Sequence, residues 1–138
     1  MSNVAFFLTP KNDVVCLSVR NTMRQALEKM EYHRYTAVPL LDEKGKYVGT
    51  LTEGDLLWKF KNTRGLTFKE TENVFLKDIQ RNVYNYPVRI YAKIEDLLSL
   101  AIDQNFVPVV DDQGVFIGIV RRREIIEHYT EKFLQKNT

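Results

Sequence analysis

A chain of 138 residues with 44% hydrophobic and 28% charged side chains has the make-up of an ordinary globular protein, enough for one compact domain or two small halves sharing a core. Its formal charge of +2 is too small to argue by itself for nucleic acid or a membrane surface, and no apolar run approaches the roughly 20 residues of a spanning helix. The opening Met-Ser-Asn-Val-Ala-Phe-Phe lacks the basic stretch of a signal peptide, and Cys16 is the only cysteine, so no internal disulfide is available and a reducing cytoplasm is the expected compartment.

In chain order, Val14 to Leu17 is a short β-prone run in which Cys16 reads as a small buried hydrophobe rather than a nucleophile. Thr22 opens a helix, because Thr-x-x-Gln with Gln25 makes a capping box and Ala26, Leu27 and Met30 follow at helical spacing. Thr36 to Leu41 is a strand apolar on both faces, Asp42-Glu43-Lys44-Gly45 a hairpin turn, and Tyr47 to Leu51 the returning strand. Thr52-Glu53-Gly54-Asp55 opens a second helix with Leu56, Leu57 and Phe60 expected inside, completing a β-α-β-β-α unit. Residues 63–82 form a polar connector, with a short helix expected around Phe75 to Ile79.

The same order then returns. Val88 to Tyr91 is a strand and Leu97, Leu98 and Ala101 lie on a helix. Phe106 to Val110 and Phe116 to Val120 form the strand pair, and a last helix starts near Arg122. Val38, Pro39, Asp42, Gly45, Gly49 and Asp55 fall on Val107, Pro108, Asp111, Gly114, Gly118 and Glu124 at a constant offset of 69, without a gap. Two copies of one supersecondary unit therefore make up the chain, an α/β protein with a first repeat over 1–62, a connector over 63–82 and a second repeat over 83–138. The last helix carries Ile125, Ile126, Tyr129 and Phe133, a stripe that packs on its own core or forms a dimer contact.

No catalytic constellation emerges. His33 reads as a solvated helix end and His128 as a surface residue, neither with a Cys or carboxylate partner at metal-ligand spacing, and no glycine-rich phosphate loop or nucleophile elbow is present. No metal or enzymatic activity is expected. The helix starts carry more information. Thr52 and Asp55 satisfy a capping box, worth about 1 kcal/mol. The same geometry also suits a ligand, the free N–H groups facing a phosphate and the carboxylate accepting ribose hydroxyls. In the second copy Arg121, Arg122, Arg123 and Glu124 stand at those four places. Arginine cannot cap a helix and opposes its dipole, whereas its planar fork pairs with phosphate oxygens; the alternative is that these side chains face solvent or pair with Glu124 or Glu127.

The doubled β-α-β-β-α unit, the Val-Pro-h-h-Asp strand and the Gly-h-h-Thr-x-x-Asp helix start (h, an apolar residue) resemble cystathionine-β-synthase (CBS) domains, two of which in tandem form a Bateman module. The resemblance covers nearly the whole chain. It implies two pseudo-symmetric repeats packed as one module, with clefts between them that hold adenine nucleotides. Residue by residue, it implies a ribose-binding role for Asp55 and a phosphate- or ribose-facing hydroxyl at Thr52. It also implies an adenine pocket lined by Thr36, Ala37, Val38 and Pro39, and by Asn105, Phe106, Val107 and Pro108 in the second copy. Glu124 and Arg121 depart from that pattern, which weakens ribose binding there and favours phosphate. The second half is also similar to small stand-alone bacterial CBS proteins that bind cyclic di-AMP.

The function expected is thus a non-catalytic adenine-nucleotide sensor, for AMP, ADP, ATP or cyclic di-AMP, acting on a partner protein and pairing as a homodimer. The competing reading is a structural or interaction module with vestigial clefts. DNA binding through Arg121 to Arg123 lacks a helix-turn-helix pattern and a broad basic face.

Overall fold

The computed structural model describes residues 3–136. It divides into two compact units: Val15–Tyr84, and the chain up to Val14 together with the chain from Asn85 onward. The packing units are cut differently from the sequence repeats. The segment before Val15, read as the start of the first repeat, packs with the second.

In the Val15–Tyr84 unit, β2 (Leu17–Ser18) runs parallel to β3 (Ala37–Leu41), which pairs antiparallel with β4 (Tyr47–Thr52). α1 (Met23–His33) and α2 (Glu53–Asn62) complete it. α1 begins where its sequence signature places it: Gln25 N–H donates to Thr22 Oγ1 at 3.2 Å and Thr22 N–H to Gln25 Oε1 at 2.8 Å. Asp42 Oδ1 accepts the N–H groups of Lys44 and Lys46, an Asx-type turn that brings Gly45 to a φ of 80°. Leu17, Met23, Ala26, Met30, Val38, Leu40, Leu51 and Leu56 form the core with Leu76 and Ile79, which arrive from a 3₁₀ turn at Leu76–Asp78.

In the other unit, β1 (Thr9–Pro10), β7 (Phe116–Arg121), β6 (Phe106–Val110) and β5 (Val88–Arg89) form one sheet in that spatial order. β6 and β7 repeat the register of β3 and β4, including the irregularity after Val109 that matches the one after Leu40. A 3₁₀ turn (Ile94–Leu97) leads into the short α3 (Leu98–Ala101), and α4 (Arg122–Lys136) closes the unit. The edge strand β1 has no counterpart in the first unit. It pairs with β7 so closely that a Cβ on Gly118 would fall on the Thr9 carbonyl oxygen and the Leu8 side chain.

Several expectations are corrected. Leu57 is 58% exposed rather than inside, because only Leu56 and, in part, Phe60 of that helix face the core. Leu98 points outward while Leu97 is buried in the 3₁₀ turn that replaces the first turn of the expected helix. Cys16 is half-buried and lies just before β2. His128 is not a surface residue: its side chain is 16% exposed, bonded to Glu95 and packed edge-on against Phe7.

Candidate functional site

The start of α2 follows directly from the hairpin. β4 ends at Thr52, paired with Ala37, and Glu53 N–H donates to the Thr36 carbonyl at 2.9 Å. Thr52 Oγ1 accepts from Asp55 N–H at 3.2 Å, and Asp55 Oδ2 accepts from Thr52 N–H at 2.9 Å, a complete capping box. The other carboxylate oxygen, Oδ1, accepts from Asn82 N–H at 3.1 Å. Asp55 is only 2% exposed. Thr36, Ala37, Val38, Pro39, Thr52 and Asp55 are thus gathered at one end of this sheet. Thr36 is exposed and Ala37 half-buried there, but both Asp55 oxygens are already held by backbone donors.

The second unit repeats this frame with different chemistry. Arg122 N–H donates to the Asn105 carbonyl at 3.0 Å, the counterpart of the Glu53–Thr36 bond. The three arginines then part. Arg122 Nε is drawn inward to the Gln104 carbonyl at 2.9 Å, and Arg123 Nε pairs along the helix with Glu127 at 2.7 Å. Arg121 stays exposed, its one hydrogen bond among the described residues a 3.5 Å contact from Nη1 to Thr9 Oγ1. Glu124, half-buried beside it, makes no hydrogen bond among the described residues. Burial pushes its carboxyl above the ordinary value, against the nearby Arg121 guanidinium, which pulls it down, and the Glu127 charge, which raises it further. The available pair at this helix start is Arg121 and Glu124. Arg122 and Arg123 are held by the protein itself.

Asn105 is exposed next to Phe106, Val107 and Pro108, which are buried. Beneath them lie two amides that motif reading passed over. Gln104, 4% exposed, accepts Tyr86 N–H at 2.8 Å and donates to the Tyr86 and Phe106 carbonyls, while Asn85, 2% exposed, donates to Asn105 Oδ1 at 3.2 Å. Gln104 was the visible signal, a polar residue abutting an apolar strand. Its side chain ties the Tyr86 backbone to the Phe106 carbonyl and so fixes the start of β6. In the first unit the residue passed over is Arg81, whose Nε would lie 3.0 Å from a Cβ on Gly49.

Among the described residues no cluster of His, Cys, Asp and Glu is arranged to hold a metal ion, and no helix is long and apolar enough to cross a membrane.

The family model for the CBS domain matches twice, over residues 6–62 and 76–131. Cyclic di-AMP receptor B of Bacillus subtilis is 25% identical over 141 residues, an alignment covering 99% of this chain and 92% of that protein. The crystal structure of CbpB in complex with c-di-AMP superposes with a TM-score of 0.83 at 22% identity, covering 99% of this chain and 89% of the other. That of CBSX2 in complex with AMP does so with a TM-score of 0.73 at 24% identity, covering 95% and 98%. The first curated relatives, from Methanopyrus kandleri and Arabidopsis thaliana, are longer, and the chain spans 61–63% of their length. With two matched segments that together take in most of its length, the chain belongs to the CBS domain family, carrying two such domains in tandem.

Proposed function

We propose that this protein is a non-catalytic regulatory module that binds an adenine nucleotide and conveys the bound state to a partner protein. The observation that carries the reading is the pair at the start of α4. Arg121 and Glu124 sit beside each other at a helix N-terminus, one exposed and weakly bonded, the other half-buried with no hydrogen-bond partner among the described residues. Neither serves local stability, since the guanidinium opposes the helix dipole and burial of the carboxylate outweighs the attraction of Arg121. Together they supply what a nucleotide presents, a fork for phosphate oxygens and an acceptor for hydroxyls. The relatives agree in kind: one is named for cyclic di-AMP reception, and solved neighbours hold cyclic di-AMP or AMP.

In this reading Asn105, Phe106, Val107 and Pro108 present backbone to the base, held rigid by Gln104 from below. Thr36 to Pro39 and Thr52 offer a weaker counterpart. Signalling follows from differential stability, because a ligand favours whichever arrangement it binds better. The exposed stripe on α4 serves homodimer formation. A second reading, a structural or interaction module with vestigial clefts, draws support from Asp55, whose oxygens are both engaged.

A thermal-shift titration with adenosine, AMP, ADP, ATP and cyclic di-AMP, with GTP as control, separates the two. Saturable stabilisation by an adenine compound, absent with GTP, upholds the sensor. No stabilisation by any of them leaves the interaction module.

A further inference from the structure

Arg122 is the first residue of α4, yet its side chain does not stay at the surface as that of Arg121 does. It is half-buried, its Nε donates to the Gln104 carbonyl at 2.9 Å, and its backbone N–H donates to the Asn105 carbonyl at 3.0 Å. The helix start is thus stapled at two points to the two residues that lead into β6. The Gln104 side chain continues the connection. It accepts the Tyr86 N–H at 2.8 Å and donates to the Tyr86 and Phe106 carbonyls at 3.2 and 3.3 Å. Asn85 adds a bond to Asn105 Oδ1 at 3.2 Å. A run of hydrogen bonds therefore leads from the helix that carries Arg121 and Glu124, through the entry of β6, to Asn85 and Tyr86. Those two residues are the first of the chain after it leaves the Val15–Tyr84 unit.

The first unit has the frame without the staple. Glu53 N–H donates to the Thr36 carbonyl at 2.9 Å, but the Glu53 side chain makes no hydrogen bond among the described residues. Tyr35 stands where Gln104 does in the second unit, 41% exposed and stacked on His33. Local stability gives little reason for the difference. A guanidinium in the first turn of a helix opposes its dipole, and Arg122 has no carboxylate partner among the described residues to offset its partial burial. What the staple secures is a distance, that between Arg121 and Glu124 on the helix and Asn105 to Pro108 on the strand. A buried and fully bonded amide such as Gln104 holds that geometry to one arrangement.

We propose, building on the function above, that Arg122 is a positioning residue of the site at the start of α4, and that its bonds through Gln104 carry the site's occupancy to the Asn85–Tyr86 segment. Arg122 itself does not touch the ligand. A ligand that bridges Arg121 and Glu124 to the entry of β6 holds the two ends of the staple together and tightens the grip of Gln104 on Tyr86. Coupling between two places is reciprocal, so a broken staple also weakens binding.

The Tyr86 amide, bonded to Gln104 Oε1, is the reporter. The experiment follows its hydrogen exchange by NMR in the full chain, free and saturated with adenosine, AMP, ATP or cyclic di-AMP, alongside the affinity for each. In the wild type, ligand slows Tyr86 exchange at least about fivefold, the lower end of ordinary coupling. Arg122→Met keeps the aliphatic stem and removes the fork. It weakens adenosine, AMP and ATP by one common factor of about five to ten, and abolishes the slowing at saturation. Arg122→Gln shows the same pattern and stands in should the methionine variant not fold. Arg121→Met, by contrast, weakens ATP more than adenosine and keeps the slowing. A loss on Arg122→Met that grows from adenosine to ATP makes Arg122 a phosphate contact and overturns the proposal. Unchanged affinity, or slowing that persists in that variant, overturns it too. Binding to the wild type without any slowing at Tyr86 overturns the positioning role alone and leaves the proposed function standing. Failure of every compound to bind the wild type overturns both.

Discussion

Asn82 N–H donates to Asp55 Oδ1 across 27 residues of chain, so the carboxylate that caps α2 also anchors the segment leaving the 3₁₀ turn at Leu76–Asp78. One side chain thus closes the helix start and fixes a loop. Asp55→Ala keeps the Thr52 cap on the residue-55 N–H but leaves the Thr52 and Asn82 N–H groups without their carboxylate acceptors, each worth about 1–1.5 kcal/mol. A loss of about 2–3 kcal/mol in chemical denaturation is expected. A loss below about 0.5 kcal/mol contradicts a structural role for this residue.

Glu124, at the equivalent place in the second unit, behaves oppositely. Its carboxyl is pushed up chiefly by burial, so the folded state favours the protonated form. A carboxyl with a raised folded value stabilises the fold in acid and loses that contribution as pH rises through the folded value, so at neutral pH the charge is a burden. Glu124→Gln is therefore expected to raise the denaturation midpoint at neutral pH while weakening adenine-nucleotide binding. A variant that is less stable at neutral pH, with unchanged affinity, removes Glu124 from the proposed site.

The contrast between these two positions shows how far the sequence could be read. The succession of strands and helices along the chain, both hairpins and both capping boxes were legible because they rest on local rules: period, turn residues and the three-residue spacing of a cap. The roles of Asp55 and the arginines were not, because they depend on partners distant in sequence. Nothing near Asp55 announces Asn82, and nothing in Arg-Arg-Arg tells that Arg122 reaches the Gln104 carbonyl while Arg121 stays outside. The destination of the first 14 residues was equally hidden, since a two-residue edge strand has too little pattern to signal its pairing.

Gly118 and Gly49 occupy the same register position, opposite Val109 and Leu40 in their hairpins, and Gly118 alone also faces Pro10 of the edge strand. Gly118 backs directly onto the Thr9 carbonyl, a rigid neighbour, whereas Gly49 faces the flexible end of Arg81. Both have φ near 155°, so the backbone penalty is shared and the neighbour decides. Gly118→Ala should cost at least about 1 kcal/mol more than Gly49→Ala, and amide exchange at Thr9 and its partner Ile119 should accelerate only in the former. Equal costs contradict the close pairing of β1 with β7.

Glu95 provides a titration signature in the same unit. Its Oε2 lies 2.9 Å from His128 Nε2 and 4.0 Å from Lys132 Nζ, while Oε1 is buried with no hydrogen-bond partner among the described residues. Burial pushes the carboxyl up, but the His128 hydrogen bond and the Lys132 charge outweigh it and hold the group below its ordinary value. A depressed carboxyl contributes stability above its unfolded value, about pH 4.3, and loses it as pH falls through the folded value. Wild-type protein should therefore lose more stability than Glu95→Gln when taken from about pH 5 to about pH 3. Parallel melting curves for the two proteins across that range contradict the assignment.

The stripe on α4 splits into two functions. Ile125 is buried, and Tyr129 is held by donating its hydroxyl to the Glu95 carbonyl at 3.0 Å, so both belong to the unit's own packing. Ile126 is 50% exposed and Phe133 66%, and a spacing of seven residues brings them to the same face two turns apart. Leu134, 57% exposed, borders them. Two large apolar side chains this exposed on one helix face form a surface that a second copy of the chain can cover. Replacing Ile126 and Phe133 together by Glu leaves the core residue Ile125 untouched. If the proposed homodimer forms through this face, the pair of charges converts it to monomer in light scattering while the melting temperature in dilute solution stays within a few degrees. If the doubly substituted protein remains dimeric, the self-association face lies elsewhere, and the groove between α1 and α2 that Leu27, Met30, Leu57 and Phe60 line becomes the next surface to alter.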